Sequence, residues 1–426
     1  MTVTVTVGGY DLSAFVDVSS VQITQVLTRR GDTAQLDILD TTLQMGFLPF
    51  QRVTITDGTN TKFGGVITCA RQMAHDGPSI NRWRLFCQDD SYYLQHTLAN
   101  KKYSNTTVDA IVKDLLANFP PPVTITTNHV QSGLPGIAFF NVHHNSLADA
   151  FDRLVKMSLA STYLMWDVDA SGDLHFFDQN HVPQADIALT DAAAAGAGWV
   201  NYRRDTFWYE TDAAQLANSV TFRGGTYLSA PYRQTWSGNG QQASFTLDYK
   251  PDTDVSAGGS IPTVTVGGAA QTVALDTGSG FGGNQVLVSF DQATQAASLQ
   301  FATAPGSGVA VVATYVFDLP VLMRRQNNAS VAQYGAWQQY VVDTSVKTQS
   351  AAAQRAGAML SQFALPLAKA EVDVALTYVG TLGAGQMIEL VNQQCGIAQP
   401  MIITDCRITG QPGGRLQHQL RLAAFA

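Results

Sequence analysis

Between Asn145 and Asp178 the hydrophobic period of the chain changes from 3.6 to 2. That change limits the possible folds more tightly than composition does. Ser146 is a good N-cap, and Asp149 sits in the first turn, near the positive end of a helix dipole. Leu147, Phe151, Leu154, Val155 and Leu159 then recur at helical spacing. From Tyr163 the pattern alternates: Leu164, Trp166 and Val168 against Met165 and Asp167. Asp169 to Asp173 has turn chemistry around Gly172, and Leu174 to Phe177 reads as the return strand. A helix feeding a β-hairpin is therefore predicted, with no reactive group evident in it.

Most of the remaining chain alternates with period 2. Residues 1–102 read as β throughout: Val3, Val5 and Val7, then Ala34, Leu36 and Ile38, then Val53 and Ile55 before Asp57-Gly58, then Trp83, Leu85 and Cys87. Short strands at this spacing suggest a small barrel or sandwich. Thr107 to Phe119 reads as a helix with one apolar stripe, stopped by Pro120-Pro121-Pro122. Gln349 to Phe363 reads as another. From Thr226 to about Pro320 the texture becomes Gly-, Ser-, Gln- and Thr-rich, as expected of an independent β module. The last sixty residues are β again. Ile67-Thr68-Cys69-Ala70-Arg71 is echoed by Ile403-Thr404-Asp405-Cys406-Arg407, as a duplicated barrel would produce.

The 426 residues suffice for two to four domains. Charged residues are only 14%, against about 25% in typical chains. So little charge fits either a neutral β surface or extensive burial against partners. The net charge of −8 argues against a nucleic-acid binder held by its contacts to phosphates. No apolar run is long enough to span a bilayer, and the N-terminal TVTVTV is strand-like rather than a leader. Folding in the cytoplasm is expected. None of the four cysteines forms a CxxC pair; Cys69 and Cys87 are expected to be buried thiols.

The order of these segments resembles the baseplate hub, or tail-tip protein, of long-tailed bacteriophages. The segments that carry the resemblance are TVDAIVKDLLANF (107–119), NSLADAFDRLVKMS (145–158), YLMWDVDASGDLHF (163–176), NSVTFRGG (218–225), MLSQF (359–363) and LGAGQMIEL (382–390). FTLDYKP (245–251), VTVGG (264–268) and LQFATAPGSGVAVVATY (299–315) resemble a small β module inserted in some of these hubs. The resemblance implies a mainly β fold with α+β parts. It contains two related small β-barrels, helix-plus-hairpin subdomains and an inserted sandwich-like domain. The expected division is 1–102 for the first barrel and 103–185 for the helix and hairpin parts. Residues 186–225 with 364–426 form the second barrel, 226–320 the insert, and 321–363 the returning linker and helix. The implied function is that of a structural virion protein, not an enzyme. It is a homotrimer offering six barrels to a sixfold tail tube or distal tail protein. Its other contacts are a tape-measure protein and a central spike or fibre, and genomic DNA passes through without specific binding. Many relatives carry C-terminal hydrolase or receptor-binding extensions. The chain ends at Ala426, so no appended enzyme is expected.

Candidate chemistry is sparse. Asp167-x-Asp169-x-Ser171-Gly172, with Asp178 at position twelve, has the oxygen ligands of a Ca²⁺ loop. Its flanks are strands and its twelfth residue is not Glu, which favours a plain hairpin turn. These four residues are the one metal candidate. His175, Asp178 and His181, with His143-His144 nearby, have zinc-ligand types, but a strand directs His175 and Asp178 to opposite faces. Gly278-x-Gly280-x-x-Gly283 is followed by a strand pattern rather than a helix, so it is no dinucleotide cradle and no cofactor is expected. Tyr163, Trp166, Tyr227, Tyr232, Trp236 and Tyr249 are candidates for stacking on sugars or for packing. The rival functions are therefore host-surface carbohydrate binding through the insert and, far behind, cell-wall hydrolysis.

Overall fold

The computed structural model describes residues 3–424 except 28–30, 75–79, 158–163, 193–195, 256–257, 292–295, 345, 376–377 and 379. The fold is mainly β, with few helices. The chain divides into two compact units. One holds Met1–Ser219, Gln326–Gln338 and Gly357–Ala426, and the other Val220–Arg325 and Gln339–Ala356.

The first unit is organised by a fourteen-stranded sheet. Its N-terminal wing contains Val16–Val26, Thr33–Asp40, Arg52–Asp57, Asn60–Ala74 and Asn81–Asp89. Across the sheet these run 52–57, 60–74, 81–89, 33–40, 16–26, each neighbour antiparallel. The C-terminal wing repeats that arrangement strand for strand. Trp208–Asp212, Leu367–Asp373, Met387–Asn392, Ile397–Gln411 and Arg415–Ala424 run 387–392, 397–411, 415–424, 367–373, 208–212, again antiparallel throughout. The wings are joined by five pairs, from Val26↔Asp405 to Gln22↔Thr409. Alternation puts Val21, Ile23, Leu36, Ile38, Val53 and Ile55 in one core with Val372, Ile388, Leu390, Ile408, Leu420 and Leu422. Each such aliphatic side chain contributes about 1.5–3 kcal/mol on burial.

The repetition extends to a defect. Pairing of 60–74 with 81–89 slips between Ile67 and Cys69, and pairing of 397–411 with 415–424 slips between Ile403 and Asp405. Thr68 and Thr404 are the extra residues of the two bulges. The Thr68 hydroxyl donates to the Phe86 carbonyl at 3.1 Å, and the Thr404 hydroxyl reaches the Arg421 carbonyl at 3.2 Å while sharing its proton with Asp405 Oδ2 at 2.9 Å. Phe86 pairs with Cys69 and Arg421 with Asp405, so the two bonds are equivalent. The bulge also corrects one expectation. The extra residue inverts the alternation, so Cys69 faces solvent instead of the core, while Cys87 is buried as expected.

Between the wings, residues 91–178 form a smaller body with its own core. The helices Val108–Asn118 and Leu147–Met157 lay their stripes against a two-stranded antiparallel sheet, Leu98–Thr107 with Gly136–Ser146, and against a three-stranded sheet. Ser146 caps its helix, its hydroxyl accepting from the Asp149 amide at 3.1 Å. Thr107 holds the N-cap position without a side-chain bond. Leu159 and Tyr163 lie outside the described residues. Two short helices escape the sequence pattern. Ser91–His96 interrupts a segment read as β, and Asn328–Tyr334 is capped by Asn327, which accepts from the Ser330 amide.

The second unit contains a three-stranded sheet, ordered Asp318–Gln326, Ser219–Leu228, Gln338–Val342, and a β-sandwich. The sandwich has two four-stranded sheets, ordered 232–237, 310–315, 263–266, 269–270 and 244–247, 297–301, 286–290, 273–275. Phe245, Val288, Leu299, Val264, Val311 and Tyr315 fill the space between them. The module leaves and rejoins its base at one point, where the Ser229 amide donates to the Phe317 carbonyl at 2.8 Å.

Candidate functional site

The polar side chains of the Leu164–Val168 and Asp173–Asp178 hairpin divide into two groups by register. Leu164 pairs with Asp178, and Asp167 with His175. Asp178 therefore lies at the open end, away from the Asp169–Ser171 turn. There it accepts from the Asn180 amide at 2.9 Å and contacts His181 Nδ1 at 2.7 Å. At the turn, Asp169 Oδ1 accepts from the Ser171 amide at 2.8 Å, its hydroxyl at 2.7 Å and the Asp173 amide at 2.9 Å, while Gly172 takes φ 84°. Burial opposes ionisation of Asp169, but bonds from His175, Ser171 and Asp173 outweigh it and hold the carboxyl well below the ordinary range. The calcium-candidate residues Asp167, Asp169, Ser171 and Asp178 do not converge on one point.

The fold instead assembles a different group. Strand Thr126–Val130 lies parallel to Asp173–Asp178, with His129 opposite His175. The two imidazole rings stack at 4.5 Å with 13° between their planes. Asp173 is buried beneath them. Its carboxylate accepts from the Thr126 hydroxyl, the Asn128 amide at 3.0 Å and the His129 amide at 3.2 Å, and touches His129 Nδ1. His175 Nε2 lies 3.3 Å from Asp169 Oδ2. His181 stays with Asp178, and His143 packs on His144 in the strand Gly136–Ser146, so neither joins the group. His129 carried no sequence signal, because a parallel pairing brings it to Asp173 and His175 from a distant segment.

Beside the turn is a cavity of about 280 Å³ lined by Gln25, Asp32, Lys62, Asp167 and the loop Thr381–Gln386. Asp167 Oδ1 and Gln25 Oε1 are buried there without a hydrogen-bond partner among the described residues. Burial pushes the Asp167 carboxyl up to about 6. It raises Asp32 too, with Asp89 and Asp167 adding repulsion. Lys62 is buried, donates to the Gly380 carbonyl, and has its pKa lowered by that burial.

The aromatic candidates mostly pack inward. Trp166 is buried against Phe151 and its indole N–H donates to Asp152 at 3.0 Å. Tyr232 and Trp236 pack on the sandwich core. Tyr227 is half-buried. Tyr249 stacks on Phe317 at 4.0 Å and 2° and is 46% exposed. Gly278, Gly280 and Gly283 all have positive φ in a loop that leads into the strand Val286–Phe290, so the loop opens no helix that could cradle a phosphate.

No protein-family profile matches the sequence, and no curated protein matches it either. Solved structures resemble the chain along nearly its whole length, three of them as follows. The 43 kDa tail protein of prophage MuSo2 from Shewanella oneidensis aligns with TM-score 0.58 and 12% identity, covering 99% of this chain and 98% of that one. The tail protein from Neisseria meningitidis MC58 aligns with TM-score 0.59 and 12% identity, covering 99% and 96%. Prophage tail protein gp18 from Listeria monocytogenes EGD-e aligns with TM-score 0.52 and 10% identity, covering 99% and 94%. The chain therefore shares its fold, from end to end, with phage and prophage tail proteins.

Proposed function

We propose that this protein is a structural component of a phage-type tail, a trimeric hub at its tip. Each chain presents two copies of one five-strand unit, down to the paired bulges at Thr68 and Thr404. A threefold ring of such chains presents six equivalent units, the number a sixfold tube requires, while retaining true threefold symmetry for a central spike or fibre. That duplication carries the reading, and the fold shared with tail proteins supports it. The tube-side partner is a distal tail protein or the tail tube itself, and the tape-measure protein ends against the hub. The net charge of −8 suits a channel through which DNA slides without being held. The test is the mass in solution followed by negative-stain imaging. The expected result is three times 45.7 kDa and rings with six peripheral lobes. A monomer at micromolar concentration that forms no rings overturns the proposal.

A second reading has one observation behind it. The half-exposed Tyr249, lying flat on Phe317, is a ready platform for a sugar ring. Host-surface binding through the sandwich predicts that Tyr249→Ala lowers retention on host cells or glycan arrays. Unchanged retention removes this reading.

A further inference from the structure

We infer that His129, Asp173 and His175 form a binding site for a single divalent transition-metal ion of the Zn²⁺ class. The three residues offer ligand atoms that all lie within 4.8 Å of one another. They come from two adjacent strands, His129 opposite His175 and Asp173 two residues before it, so the backbone fixes their spacing. Two imidazoles and one carboxylate, without a thiolate, select Zn²⁺, Co²⁺ or Ni²⁺ over Ca²⁺ or Mg²⁺.

The surroundings are those of a metal site as well. Thr126 and the Asn128 amide orient the Asp173 carboxylate from behind. Asp169 Oδ2, 3.3 Å from His175 Nε2, orients that ring as carboxylates behind metal-bound histidines do. The His129 side chain is 63% exposed, so an ion enters from solvent and water completes its coordination. Ligand atoms around tetrahedral zinc stand about 3.4 Å apart, from bonds of about 2.0–2.1 Å. A modest swing of the exposed His129 ring out of its stack supplies that geometry. The bound ion would tie the strand Thr126–Val130, three of whose five residues are exposed, onto the hairpin.

The test uses the full chain, stripped with chelator and titrated calorimetrically with Zn²⁺ alone, with Co²⁺ absorption as a second readout. We expect one ion per chain, a rise in the thermal midpoint, and Co²⁺ bands of nitrogen–oxygen ligation without a thiolate charge-transfer band. His129→Ala leaves the fold intact because the side chain is exposed, and weakens binding at least tenfold. His175→Ala weakens binding likewise, and its melting curve without metal separates loss of the ligand from loss of the packing that this mostly buried ring supplies. Absence of uptake overturns the inference. So does uptake undiminished in both variants, which would place the ion at the exposed thiols of Cys69 or Cys395.

Discussion

Thr68 and Thr404 make the same hydrogen bond at the same point of two hairpins, each hydroxyl reaching the carbonyl opposite the residue that follows it. Thr68→Val and Thr404→Val each remove one such bond and keep the side chain's shape. Each should cost about 1 kcal/mol in urea denaturation. Substitutions that leave both midpoints unmoved would mean the bonds add nothing to the bulges.

The four thiols divide by burial. Cys69 and Cys395 are exposed, whereas burial pushes Cys87 and Cys406 up to about 12. A thiol reagent at pH 8 should modify two of the four cysteines in the native protein and all four in denaturant. Rapid reaction at Cys87 would contradict the packing described.

Phe151 is fully buried and meets Trp166 and Phe176 edge to face at 5.6 and 6.1 Å. Phe151→Ala should cost about 3–5 kcal/mol and shift Trp166 fluorescence toward the red. A loss under 1 kcal/mol would show that the core of this small body collapses onto the cavity.

Burial raises Asp89 to about 7, against the opposing bonds from Ser91. A carboxyl whose folded pKa lies above its unfolded value binds its proton more readily in the folded state. Its cost to stability is absent below about pH 4 and complete above about pH 7. Asp89→Asn keeps an acceptor for Ser91 and removes the charge. The variant should gain on the wild type as pH rises from 5 to 8, on the order of 1–2 kcal/mol. Its thermal midpoint relative to wild type, followed across that range, is the measurement, and a constant difference would sink the prediction. His418 acts in the other direction in both proteins. Burial lowers it to about 3, so its contribution is lost as pH falls below about 6.5.

The sandwich rejoins its base at Ser229 and Phe317, so residues 230–316 are removable. A chain with an Asn-Gly turn in their place should melt cooperatively within a few degrees of the first unit of the intact protein. Aggregation on expression would show that the rest of the chain depends on the module to fold.

The elements legible in the sequence are those with long, clean periods. Val108–Asn118, Leu147–Met157, Gln349–Phe363 and the 164–178 hairpin all follow apolar spacing. Helices of six or seven residues do not complete two turns, so Ser91–His96 and Asn328–Tyr334 leave no stripe. A bulge is one residue long and invisible to periodicity, which is why Cys69 was expected inside. It also shows how the two pentapeptides correspond. Exposed Cys69 corresponds to Asp405, and buried Cys406 to Ala70, so the shared cysteine letters occupy different places. The candidate site was half legible. His175 belongs to the hairpin, whereas His129 reaches it only through a parallel pairing between segments more than forty residues apart.

The five-pair ladder from Gln22 to Val26 leaves no seam between the two wings. Sliding one past the other would break main-chain bonds and bare a shared apolar interior at once. Load applied to either wing thus travels through the chain as through a single plate. If the proposed ring forms, its dilation would fall on the joints between neighbouring chains.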